Sequence, residues 1–156
     1  MRYLLFTFLG LFLSFQLSSQ NLDEKYNIAE EFLYDENFSE AIPLYKDLVE
    51  AEPKNSDFHF KLGFCYLQTH FQKDKAIYHL EKSIEYMSGK QKEKDAPIDA
   101  YYYLGRAYHA TYHFDKAIAM YNKLRKKVAD DEYFINLIDK QLEYCRNGIV
   151  IMENRE

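Results

Sequence analysis

The chain has 156 residues, of which 20 are basic and 25 acidic, for a formal charge of −5 at pH 7. That length fits one domain around one core, and a mildly acidic chain has no general attraction for nucleic acid or anionic lipid, so neither is expected as a partner. Its 15 Tyr and 12 Phe, without any Trp, are a heavy aromatic load for so small a domain.

The first residues read as an export signal. Met1 and Arg2 supply a positive end, Tyr3 to Leu13 is apolar except for Thr7 and Gly10, and Ser14, Gln16, Ser18 and Ser19 follow. A positive end, an apolar run of about 7 to 15 residues and then small residues make a secretory signal peptide. Residues 1–20 are therefore expected to be one, cleaved near Ser19 or Gln20, because a membrane-spanning helix needs roughly 20 apolar residues. The mature chain is expected in the periplasm or the outer-membrane-associated envelope of a bacterium, without membrane association of its own. Such a compartment would permit a bridge between Cys65 and Cys145, but both fall at apolar positions of expected helices and read as buried free thiols.

Two columns of small residues organise the remainder. Ala29, Gly63 and Gly105 align, as do Ala41, Ala76 and Ala117, at intervals of 12, 13 and 12 residues within each pair. Each interval accommodates one helix of about three turns and a short turn. Ile28, Leu62 and Leu104 precede the first column, Phe32, Tyr66 and Tyr108 follow it by three, and Tyr45, Leu80 and Tyr121 lie four beyond the second. Spacings of three and four keep these side chains on one helical face. Asn37-Phe38-Ser39-Glu40 has the form of a cap with Glu three residues on. Asn55-Ser56-Asp57 and Asp130-Asp131 are further caps, and Pro97 suits a first turn. Ser88 to Asp95 has almost no apolar residue and reads as a solvated, mobile loop.

These columns resemble the tetratricopeptide repeat, a helix-turn-helix unit of about 34 residues. The first two copies stand 34 residues apart and the third is displaced to 42. The resemblance implies an all-α fold, a right-handed superhelix of three hairpins near residues 22–55, 56–89 and 98–131, within a domain of residues 21–148 closed by a capping helix near 132–147. The chain departs from the family at the fourth position, usually aromatic and here Lys25, His59 and Tyr101, and keeps the terminal proline only at Pro53. In the family the first helix of each unit lines the concave surface where partners dock. By aligned position this implies a partner-binding set of Tyr26, Glu30, Leu33 and Tyr34, then Phe60, Phe64 and Leu67, then Tyr102, Arg106 and His109. One subclass of the family grips the C-terminal carboxylate of chaperones with Lys, Asn and Arg in this groove. The matching places in the first unit hold Tyr26 and Glu30, so that clamp is missing, and Arg106 is left to meet an acidic group of a partner.

Phe134, Leu137, Ile138, Leu142 and Cys145 form an apolar face that would cover the end of the array, and Asn147-Gly148 is expected to end this helix. Ile149-Val150-Ile151-Met152 is then a strand-prone apolar tail, or the start of a further segment at residues 149–156. The chain has no Gly-rich phosphate loop, no His-Glu-x-x-His and no Gly-x-Ser-x-Gly, so neither a cofactor nor catalysis is expected. His109 and His113 straddle a turn and lack a third metal ligand. Lys123, Arg125, Lys126 and Lys127 complement a helix C-terminus.

The expected function is that of a non-enzymatic adaptor of the periplasm or cell envelope, holding another protein or a peptide segment in an aromatic groove. Leu142-Glu143-Tyr144-Cys145-Arg146-Asn147-Gly148 is similar to the end helix of the N-terminal repeat region in bacterial envelope proteins that carry β-propeller and OmpA-like domains. That resemblance implies a secretion or gliding-motility assembly of the type IX kind. Two other readings stay open: a binder of an apolar or glycan small ligand, or enzyme accessory, and a structural module self-associating through its C-terminal helix and tail.

Overall fold

The computed structural model describes residues 21–69, 72–87 and 98–154. The expected signal peptide, the loop at residues 88–95 and Pro97 lie outside the described residues. Among the described residues there are seven helices and no strand: α1 (residues 21–34), α2 (Phe38–Ala51), α3 (Ser56–Gln68), α4 (Lys73–Tyr86), α5 (Ile98–Ala110), α6 (Phe114–Lys127) and α7 (Glu132–Glu153). From α2 onward each helix packs on its successor, and α3 also touches α5 directly. Antiparallel hairpins are thus stacked with their first helices side by side.

The columns of small residues are the contact line within each hairpin. Ala29, Ala41, Ala76 and Ala117 are fully buried, as are Tyr45, Leu80 and Tyr121. A Cβ added to Gly63 would lie 2.8 Å from Leu80 Cγ, and one added to Gly105 would lie 2.6 Å from Tyr121 Cε1. The large residue of the second helix therefore crosses directly over the small residue of the first. Ile28 departs from its column: it is 39% exposed where Leu62 and Leu104 are buried, because no described element covers that side of α1. Cys65 and Cys145 are both buried and unpaired, and burial pushes the Cys65 thiol up to about 12.

Side-chain caps mark where two of the helices begin, α3 and α7. Asn55 accepts from the backbone N–H groups of Asp57 and Phe58 at 3.0 and 3.2 Å, and Asp131 accepts from Phe134 N–H at 3.1 Å. The cap expected at Asn37 does not form. The turn there is closed by backbone instead, with Asn37 N–H donating to Phe32 O at 2.8 Å and Glu36 N–H to Leu33 O at 3.2 Å. The same pair of bonds recurs in the third unit, from His113 to Tyr108 and from Tyr112 to His109. This is the Schellman closure, which needs a left-handed residue after the helix; Glu36 and Tyr112 supply it at φ 57° and 61°.

The last helix differs most from expectation. It does not end at Asn147-Gly148 but runs to Glu153, and the apolar tail is its final turn rather than a strand. Gly148 sits against the Phe114 ring, where a Cβ would overlap, so this glycine serves a close helix approach and not a stop. Ile149 packs against the core, while Val150, Ile151 and Met152 stay about half exposed. Among the described residues no helix is long and apolar enough to cross a membrane.

Candidate protein-binding groove

The surface lined by α1, α3 and α5 is built by a simple register. The residue just after each small one, Glu30 in α1 and Phe64 in α3, meets the residue standing two before the small one in the next unit, Lys61 and Tyr103 respectively. Lys61 Nζ donates to both Glu30 oxygens, at 2.8 and 2.7 Å. Tyr103 meets Phe64 edge to face, with ring centroids 4.8 Å apart at 77°. Phe60 joins the pair at 6.0 Å from Tyr103 and 6.3 Å from Phe64, and Phe38 reaches Phe64 from the start of α2 at 5.8 Å. All four rings are half-buried, so each presents part of its face outward. Such aromatic pairs contribute about 0.5–1.5 kcal/mol beyond their buried area.

The first unit contributes a polar network. Tyr45 donates to Glu30, and the Tyr26 hydroxyl lies 3.5 Å from an Asp57 carboxylate oxygen. Burial raises Asp57 against the pull of Lys61, with Glu30 adding to the rise. Burial opposes the Lys61 ammonium, but its bond to Glu30 and the charge of Asp57 outweigh that, and Lys61 holds its proton above the ordinary range. Burial also raises Tyr26, helped by Asp57. Two carboxylates around one ammonium leave this end acidic. The other end is basic: Arg106 lies over the Tyr103 ring at 5.8 Å and has no ion pair among the described residues. Lys73 donates to the Leu67 carbonyl, and burial followed by the charge of Arg106 lowers its affinity for a proton.

Of the residues expected to face a partner, Phe60, Phe64 and Arg106 come together around Tyr103, while Tyr26 and Glu30 sit in the polar network. Leu67 is corrected: at 4% exposure it belongs to the core. It lies in the middle unit, covered by hairpins on both sides, whereas Leu33 and His109 in the outer units stay half-buried. Tyr34 is 89% exposed at the end of α1. Tyr102 leans onto Tyr121, ring centroids 6.1 Å apart. His109 packs on Phe114 at 5.3 Å, and burial lowers it. His113 turns to Thr111 Oγ1 at 3.0 Å, beyond the left-handed Tyr112, so the two histidines do not share a helical face. Tyr103, Lys61 and Asp57 were missing from the expected set. The column two residues before Gly63 and Gly105 was the available signal for the first two.

Comparisons with known proteins agree with this architecture. Residues 26–82 and residues 99–131 match two tetratricopeptide repeat family profiles, which together cover more than half of the chain. No curated protein sequence matches. Among solved structures, the TPR2B-domain:pHsp70 complex of yeast Sti1 superposes with a TM-score of 0.67 at 16% identity, covering 81% of this chain and 96% of that one. The Yersinia enterocolitica type III secretion chaperone SycD, in complex with a peptide of the translocator YopD, gives 0.66 at 16% identity, with 81% and 93% covered. The first TPR domain of human RPAP3 gives 0.68 at 15% identity, with 86% and 97% covered. At these identities the likeness is one of fold. With its stacked hairpins, its small residues at each helix crossing and both family profiles in register, the chain belongs to the tetratricopeptide repeat family.

Proposed function

We propose that the protein is an exported, non-enzymatic adaptor of the cell envelope that holds a segment of another protein against α1, α3 and α5. The observation that carries this reading is the cluster of Phe60, Phe64 and Tyr103, three half-buried rings from two successive first helices. Rings kept partly exposed at such a junction are the kind of surface that supplies binding hot spots. The yeast Sti1 and Yersinia SycD structures, of the same fold, are complexes with pHsp70 and with a translocator peptide, which supports a peptide-sized occupant here. The export-signal pattern of residues 1–20 supports the envelope, and the end-helix resemblance at residues 142–148 supports a secretion or gliding-motility assembly.

A photo-crosslinking residue at Phe60, installed in cells and followed by mass spectrometry, is expected to capture one reproducible protein. Phe64→Ala with Arg106→Glu is expected to weaken that capture at least about thirtyfold, the effect of losing one hot spot of roughly 2 kcal/mol. The helical circular dichroism should be unchanged. Retained capture sinks the groove assignment, and recovery of the product in the cytoplasm sinks the envelope one. A second reading, self-association, draws on the exposed Val150, Ile151 and Met152 at the end of α7.

A further inference from the structure

The second hairpin brings together two imidazoles that the groove does not use. His59 of α3 is buried, His79 of α4 is half-buried, and their Nδ1 atoms stand 3.0 Å apart. The ring centroids are 5.1 Å apart, nearly the sum of that distance and the two ring radii, so both Nδ1 atoms lie close to the line joining the rings. His59 Nε2 lies 3.1 Å from the Pro53 carbonyl, which only accepts, so that nitrogen carries the His59 proton. Each Nδ1 therefore points at the other, that of His59 with a lone pair and that of His79 with its proton. A histidine anchored to a backbone carbonyl through one nitrogen, with the lone pair of the other held in a fixed direction, is the arrangement that orients a metal ligand. Aromatic rings wall the pair: Tyr66 stacks on His79 at 5.7 Å, Tyr78 meets it edge-on at 5.0 Å, and Tyr86 meets His59 edge-on at 5.4 Å.

We infer that His59 Nδ1 and His79 Nδ1 form a linear two-nitrogen site for a monovalent ion with a filled d shell, copper(I), which takes the place of the proton between them. The donor set selects the ion. Zinc takes three or four protein ligands and copper(II) a square of them, whereas no group of three His, Cys, Asp or Glu side chains suited to a metal occurs among the described residues. Copper(I) is stable with two donors in line, and imidazole suits copper. The surrounding charges favour one positive charge over two, because Lys75 lies over the Tyr66 ring and the Glu85 carboxylate is already taken by Lys82 at 2.7 Å. Two metal–nitrogen bonds of about 2 Å each require the nitrogens to part by about 1 Å from their present 3.0 Å. His79, half-buried, supplies that movement while the Pro53 carbonyl holds His59. The ion replaces the proton on His79 Nδ1 and a proton is taken up at His79 Nε2, so both rings stay neutral and no net proton is released.

The test is an anaerobic titration of the mature protein with tetrakis(acetonitrile)copper(I) in competition with bicinchoninate, a chromophore for copper(I). The protein is expected to take one ion per chain from the chromophore and to gain in thermal midpoint, since only the folded chain sets the two rings in line. X-ray absorption of the loaded protein is expected to show two nitrogens at about 2 Å and no sulfur. His79→Gln and His59→Gln are each expected to lose the ion to the chromophore with helical circular dichroism unchanged. Binding retained in His79→Gln, a sulfur neighbour from Cys65 or a methionine, or failure of the parent to take an ion from the chromophore overturns the site. Zinc sulfate at the same concentration is expected to leave the thermal midpoint where it was, and an equal rise with zinc overturns the two-coordinate assignment. The X-ray absorption of the parent decides the matter even where a variant fails to fold.

Discussion

His59 and His79 meet Nδ1 to Nδ1 at 3.0 Å between α3 and α4, while His59 Nε2 lies 3.1 Å from the Pro53 carbonyl. A carbonyl only accepts, so His59 carries its proton on Nε2, its Nδ1 accepts, and His79 Nδ1 donates. Tyr66, Tyr78 and Tyr86 surround the pair, with the cations of Lys75 and Lys82 and the carboxylate of Glu85 nearby. Burial holds His79 down to about 4, with His59 and Lys75 adding, and burial also lowers His59. The unfolded chain therefore binds protons more readily than the folded one below its ordinary pKa of about 6.5. The contribution of His79 to stability is complete above that value, falls as pH drops through it, and levels off below about 4. The urea midpoint of the mature protein should fall between pH 7.5 and pH 5, and His79→Gln, which keeps an N–H donor toward His59, should show a smaller fall. An equal fall in both proteins excludes the pair as the origin. At this scale the sequence carried Phe60 and Phe64 but not Tyr103, the ring they meet, because which of two adjacent side chains faces the neighbouring unit depends on the rotation of each helix in the stack.

At the scale of helices, Gly105 separates two rules of opposite sign. Ala is the better helix former by roughly 0.8–1.0 kcal/mol, so Gly105→Ala would stabilise an isolated α5. In the hairpin the added Cβ would lie 2.6 Å from the ring of Tyr121, which is fully buried and would have to shift. Overpacking of that kind costs about 1–3 kcal/mol, and Gly105→Ala is expected to lower the thermal midpoint; a rise would mean that Tyr121 relaxes freely. The same logic explains α7. Asn147-Gly148 has the form of a helix stop, but Gly148 fits under Phe114 and the helix runs on through it to Glu153. Local signals placed the opening of α2 at Asn37 but not its chemistry, because the Schellman closure of α1 leaves the Asn37 side chain without a capping role.

For the whole molecule, the exposed end of α7 poses the question of a second copy. Val150→Glu with Ile151→Lys changes two residues that are 53% and 54% exposed and leaves Ile149 against the core. With the adaptor reading, sedimentation gives a monomer for both the parent and this variant. A dimer in the parent that the two charges dissolve would establish self-association instead. The array also explains how much of the groove could be read in advance. Units that contact only their neighbours let one alignment of small residues place every first helix.

The sequence alone determined the repeat and the helix pairs, because a 3.6-residue period and a small residue at each crossing are local and recurrent facts. Only the tertiary structure decided that Leu67 is core, that Tyr103 completes the aromatic cluster, and that α7 passes through Gly148. Each of these turns on what an adjacent unit brings within a few ångströms, and that depends on how the hairpins rotate against one another rather than on any stretch of chain by itself.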